Sequence, residues 1–322
     1  MFKQNITTIS LFFVLVSCAE QPTQRVAPQL VFDGGFESGG QVPWGIPQYN
    51  ATERTLSEQF EIVTEPVRQG QYAAKTTVHD GDEFRDTGGE RIDLVRPLRQ
   101  ETVEVEGRDF WYAWSTMFSE DWQSLTPPDD WMVIINWHST YDDVCQLLQI
   151  EMDSDNALSA KMLTGNITGY ECFSGPGTAY QHTETIVDKI TPGKWNDFII
   201  HVHWTTSENG IVEIWHKLEG ETAFTKVMDL SGVPTLQHEG DPERYRAPYL
   251  KLAHYRSSSQ THTSVLYHDG FRQSVTAEGL VEGDLYDLSS PFYTSTLFKY
   301  GIVLIILIIG TVLLSKYYKK QR

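Results

Sequence analysis

Apolar and polar residues alternate along most of the chain in short runs, broken every ten residues or so by turn-forming pairs. The clearest runs are Phe110 to Phe118, Trp131 to His138, Gln146 to Asp153, Asp197 to Trp204, Ile211 to Leu218, Tyr249 to Arg256 and Ser264 to Arg272. They are rich in β-branched and aromatic residues, and a period of two is that of a strand buried on one side. Gly165-Asn166, Pro192-Gly193 and Asn209-Gly210 separate several of them. Asn-Gly between two such runs supplies the positive φ angles of a tight hairpin. No long amphipathic helix interrupts the series. The pattern predicts an all-β fold, an antiparallel sandwich or jelly roll, as one unit over residues 29–276.

Both ends depart from alternation. Residues 1–18 carry an early Lys3, the apolar run Ile9 to Val16 and then Ser17-Cys18, the layout of an export signal. Leu15-Val16-Ser17-Cys18 resembles a bacterial lipobox, which implies that Cys18 is lipidated and that 19–28 is a linker. Gly301 to Leu314 contains no charge. At ~1.5 Å per residue this run covers about 21 Å of a ~30 Å hydrocarbon layer. Tyr300, Tyr317 and Tyr318 at the interfaces and snorkelling Lys299 and Lys316 extend it. The expectation is a polar stalk over 277–297, a transmembrane helix over 298–316 and a basic cytoplasmic tail over 317–322. A processed sorting tail is the alternative. The folded unit is then outside the cytoplasm, tethered to a bacterial cell envelope. Cys145 and Cys172 remain as an even pair in an oxidising space, either joined or separately buried.

Lys and Arg number 25 against 43 Asp and Glu, for a net charge of −18. Duplex nucleic acid and anionic lipid are thereby excluded as main partners of the folded unit. The sequence has no HExxH, no phosphate-binding glycine loop and no GxSxG elbow, so metalloprotease, nucleotide-hydrolase and serine-hydrolase chemistry lacks its usual support. His201 and His203 share a strand face, but no third ligand stands at a suggestive spacing, and structural histidines are the expectation. Glu151-Met152-Asp153-Ser154-Asp155 puts three carboxylates on one face of an ideal strand. This resembles the paired acids of laminarinase-type glycosidases, with Asp155 one methylene short; an acidic strand edge or a cation site is the competing reading.

A second constellation is spread over four segments. Arg91 lies in Gly89-Glu90-Arg91-Ile92-Asp93-Leu94, Asn136 and His138 share a face of one run, and Lys251 and Tyr255 share a face of another. With Gly193-Lys194-Trp195-Asn196-Asp197-Phe198 and the aromatic strand Phe110-Trp111-Tyr112-Ala113-Trp114-Ser115, these segments resemble, in order, the heparin lyase I and glucuronan lyase group of polysaccharide lyases. The likeness runs from Val31 to Arg272. It implies a concanavalin-like β-jelly roll that cleaves uronate-containing chains by β-elimination, with His138 and Tyr255 catalytic and Arg91, Asn136 and Lys251 binding substrate. Asn136 stands where members often have Gln, an amide of longer reach.

The residue types suit that chemistry. A C5 proton beside a carboxylate is very weakly acidic, so cations and amide donors must quench the carboxylate as the enolate forms. An imidazole that titrates near neutrality suits a base, and a phenol suits a proton donor to O4. Which residue is the base depends on substrate stereochemistry. No cofactor is required; Glu37 and Asp269 are the oxygen donors considered for a structural calcium. Arg85, Arg244 and Arg246 are further groove cations to consider, whereas Arg256 and Trp137 alternate to the opposite face. An anionic polysaccharide is the expected partner of a monomeric protein, weakly sulfated at most because no dense basic cluster is present. A glycosidase using Glu151 and Asp155, and a non-catalytic carbohydrate-binding jelly roll, are the alternatives.

Overall fold

The computed structural model describes residues 29–49, 53–84, 88–126, 130–140, 146–153, 155–168, 179–280 and 286. The expected export signal with Cys18, the linker, the membrane helix, the basic tail, Arg85, Cys145 and Cys172 lie outside these residues. Among the described residues no helix is long and apolar enough to cross a membrane.

Two eight-stranded sheets face each other, consistent with a jelly-roll sandwich. The first runs β13 (Thr225–Val233), β12 (Gly210–Leu218), β11 (Trp195–Trp204), β6 (Arg108–Phe118), β16 (Ser264–Ser274), β4 (Ala73–Val78) and β3 (Phe60–Val63), with β1 (Leu30–Asp33) also on β16. The second runs β10 (Tyr180–Val187), β9 (Leu158–Asn166), β8 (Leu148–Asp153), β7 (Trp131–His138), β15 (Tyr249–Arg256), β5 (Glu90–Val95) and β2 (Gly45–Gln48), with the short β14 (Gln237–His238) parallel to β9. A single helical turn, Leu56–Gln59, precedes β3.

Alternation decides which side chains fill the space between the sheets. From β6 it takes Phe110, Tyr112, Trp114 and Phe118, from β11 Phe198, Ile200, Val202 and Trp204, and from β15 Leu250 and Leu252. Trp137 from β7 meets the Tyr112 ring edge-on at 4.9 Å, in keeping with its expected place in the core. Arg256 also turns inward, as its parity requires, and is neutralised there by Glu90 at 2.7 Å. An arginine that far from water is tolerated only when paired.

The outer face of the first sheet carries an apolar patch of Ala113, Ile199, Trp215 and Phe224, and Leu280 and Tyr286 cover it. The Tyr286 and Ser115 hydroxyls are 3.1 Å apart, and the Leu280 carbonyl accepts from Arg272 at 3.2 Å. Packing therefore continues past residue 276, through the 3-10 turn Ala277–Leu280, into the start of the segment expected to be a stalk.

Between the sheets, His254 bonds the Thr76 and Ser264 hydroxyls and His268 bonds that of Thr116. Burial pulls His268 down to about 3 and His254 well below the ordinary histidine value. Both are neutral when folded and take up protons once unfolded below about pH 6.5, so stability is full above that value and lost as pH falls. Each such group costs about 1.4 kcal/mol per pH unit in that window. In urea titrations at pH 7 and 4.5, His268→Gln is expected to flatten the acid loss by roughly 2 kcal/mol relative to wild type; equal losses in the two proteins would contradict this.

Candidate active site

The outer face of the second sheet is the floor of the candidate site, and β5, β15 and β7 build its centre. Antiparallel register sets Arg91 beside Tyr255, Lys251 beside Asn136, and His138 beside Tyr249. Each strand buries its alternate residues: Ile92 and Leu94 on β5, Leu250 and Leu252 on β15, Ile135 and Trp137 on β7. One irregularity is needed. On β7 the register slips between Val133 and Ile135, so that Trp131 near one end and Asn136 and His138 near the other reach the same face despite opposite parity. All five residues expected from the sequence therefore share one face. Tyr255 pairs in register with Val133, five residues from His138, or about 16 Å along the strand. Lys251 stands between them.

Arg91 lies with its guanidinium carbon 3.5 Å from the centre of the Tyr255 ring, and Trp131 meets that ring edge-on at 4.6 Å. A methyl group at Gly89 would collide with the same ring and with the Arg256 carbonyl, so the close approach requires glycine there. Burial raises the Tyr255 phenol above its ordinary value, with Arg91 pulling the other way. At neutral pH it is a protonated donor.

His138 is tied in one tautomer. Its Nδ1 is 2.7 Å from the Ser139 carbonyl, which can only accept, so Nδ1 carries the proton and Nε2 offers a lone pair. Burial first, and the Lys251 charge second, hold the imidazole down to about 4. Its ring stacks on Tyr249 at 5.0 Å.

Lys251 is 1 % exposed, and its ammonium sits 3.3 Å from Asp93 Oδ2, which also lies 3.8 Å from Arg91. Burial lowers Lys251 below the ordinary lysine value and Asp93 opposes that. Asn136 is equally buried, and its side-chain oxygen has no partner among the described residues. Gln149, beside it on β8, likewise has an unpartnered oxygen while donating to Glu151 at 2.6 Å. The amide expected from Asn136 is thus doubled by a neighbouring glutamine of longer reach.

Asp93, Tyr249, Trp131 and Gln149 escaped the sequence reading. Asp93 and Tyr249 sit two positions from Arg91 and Lys251, so parity alone would have placed them on the same faces.

The glycosidase reading does not survive the geometry. Strand β8 ends at Asp153, whose carboxylate caps the following turn by accepting from the Asp155 and Ala157 N–H groups at 3.0 Å. Asp155 lies in that turn, exposed, and not on the strand. Glu151 is engaged by Lys161 at 2.5 Å. His201 and His203 do have a third partner, since Asp109 bonds both at 3.1 and 3.0 Å while Glu213 bonds His201 at 2.8 Å. They lie on the outer face of the first sheet, away from the groove. Arg244 is exposed beside Asp241, and Arg246 donates to the Thr140 carbonyl at 3.0 Å.

Glu37 and Asp269 both hold one loop, Glu37 by accepting from the Gln71 and Tyr72 N–H groups and Asp269 from those of Arg68 and Gln69. N–H donors at these oxygens suit loop anchoring better than shared cation ligation. Among the described residues no group of three or more His, Cys, Asp or Glu side chains converges as a metal site.

No curated protein matches the sequence. The fold is similar to that of an endo-β-1,4-glucuronan lyase from the fungus Trichoderma reesei, with 16 % identity, a TM-score of 0.57, and coverage of 78 % of this chain and 98 % of that one. A GH131 β-glucanase catalytic domain from Podospora anserina is 15 % identical at a TM-score of 0.48, covering 80 % and 97 %. The PL-14 alginate lyase from Aplysia kurodai is 10 % identical at 0.43, covering 68 % and 88 %. At these identities the likeness is one of fold. The polysaccharide lyase family profile matches residues 37–272, a span that takes in every groove residue described above, and the chain belongs to that family.

Proposed function

We propose that this polysaccharide lyase cleaves a uronate-containing chain by β-elimination, with His138 as base and Tyr249, whose ring stacks on it at 5.0 Å, as acid; Tyr255, expected from the sequence, stands about 16 Å along the strand, too far to share one C4–C5 bond with His138. The observation that carries the reading is one sheet face on which a neutral imidazole and a protonated phenol, His138 and Tyr249, are in contact and the buried cations Lys251 and Arg91 lie beside them. Arg91, Lys251 and the amides of Asn136 and Gln149 meet the uronate carboxylate and offset the charge that develops as the C5 proton leaves. His138 Nε2 takes that proton. The C5–H electron pair forms the C4=C5 double bond, the C4–O4 bond breaks, and Tyr249 gives its proton to O4. Proton exchange with solvent restores both groups.

Protonation states favour this division of labour over its reverse. A phenol raised by burial, as that of Tyr249 is, is a poor source of phenolate, and an imidazole held at about 4 is unprotonated at working pH. The two rings are in contact, so the C5 proton and O4, which flank one carbon–carbon bond, both lie within reach of the pair. The net charge of −18 is no obstacle at contact, since charges farther than about 8 Å are screened at physiological salt. The local cations then govern binding.

Incubation with a panel of polyuronates, followed by the ultraviolet absorbance of the unsaturated product, tests the reading. Absorbance should rise for at least one of them. Reducing ends released without absorbance, or binding without cleavage, would overturn it. His138→Ala and Tyr249→Phe should each lower kcat by roughly 10²–10⁴-fold while leaving the melting temperature near wild type. The acid limb of kcat/KM reports the base: it should fall off near pH 4 and not near 6.5, because activity is lost only as His138 gains its proton. A limb at 6.5 that persists in variants of other residues would assign the base elsewhere.

A further inference from the structure

Asp93 is the least expected charge in the groove. It is fully buried on β5, faces Ala253 in register, and places Oδ2 3.3 Å from the Lys251 ammonium and 3.8 Å from Arg91. Its second oxygen has no partner among the described residues. A carboxylate in the floor of a site for an anionic sugar repels the ligand, and burial without full hydrogen bonding adds to its cost. What it provides has to outweigh both.

The cations beside it supply the reason. Lys251 is 1 % exposed, and an ammonium so far from water tends to shed its proton unless a counter-charge is close. A neutral amine neither attracts a carboxylate nor offsets an enolate. Among the described residues, Asp93 and Arg91 from β5, Tyr249 from its own strand, and His138 and Asn136 from β7 face Lys251, and of these Asp93 is the anionic one. With His138 neutral, the set Arg91, Lys251 and Asp93 carries a single net positive charge.

We propose that Asp93 is a positioning residue for this cation pair: it fixes the Lys251 ammonium and the Arg91 guanidinium in the groove floor and leaves the pocket one net positive charge, the complement of a single uronate carboxylate. The small Ala253 opposite leaves space for the Asp93 carboxylate to reach both cations. The substrate side of this proposal rests on the elimination reading above; the pairing side does not.

The test uses Asp93→Asn, which keeps the shape and removes the charge, and Asp93→Glu, which restores it. The titration of Lys251 is followed by NMR of lysine labelled at Cε, with the signal assigned by its absence in Lys251→Arg. Asp93→Asn should move the Lys251 midpoint down by about one pH unit or more. The alkaline limb of kcat/KM should move with it, and kcat should fall more than KM rises. Asp93→Glu should recover most of both. An unmoved Lys251 midpoint in Asp93→Asn overturns the proposal, as does a lowered melting temperature with an unmoved alkaline limb. Because the titration is read without substrate, a shifted midpoint in a protein that makes no unsaturated product supports the Asp93 pairing while removing the elimination reading.

Discussion

Every strand of the groove floor has two surfaces with opposite requirements, and the period of two is what reconciles them. On β15, Leu250 and Leu252 must leave water for the sandwich to close, and that same requirement forces Tyr249, Lys251 and Tyr255 outward. The polar floor is thus the other side of the core. A one-residue slip would exchange the two faces and bury the tyrosines and lysine in place of the leucines. Hydrophobic burial therefore holds the site's composition far more tightly than any contact within the site does. The bulge in β7 relaxes that rule, and it brings Trp131 and His138 to one surface.

Within that frame the electrostatics are those of a dry pocket. Lys251 and Asp93 are each about 1 % exposed at the side chain, so their attraction is weakly screened and each depends on the other. His138 responds to the same dryness by staying neutral, and Tyr255 by keeping its proton. One cause, exclusion of water from the floor, sets three protonation states at once.

The long central strands were legible in the sequence because alternation is a local signal. Trp131 to His138 and Tyr249 to Arg256 coincide with β7 and β15, and Phe110 to Phe118 falls within β6. Short strands such as β1, β2 and β3 carry too few residues for the period to show. Faces within a strand could be read, but neighbours could not: β5 and β7 flank β15 from more than 100 residues away, and nothing local encodes that choice. The same blindness hid Asp109 from His201 and His203, whose contact depends on the β6–β11 register. Glu151 and Asp155 misled for the converse reason. Their spacing fits a strand, but the strand stops between them because the Asp153 carboxylate binds the backbone of the turn.

Tyr286 lies against Ser115 on the back of the first sheet, opposite the groove. Because Leu280 and Tyr286 cover Ala113, Ile199 and Trp215, a chain cut at residue 276 would leave that apolar patch open to water.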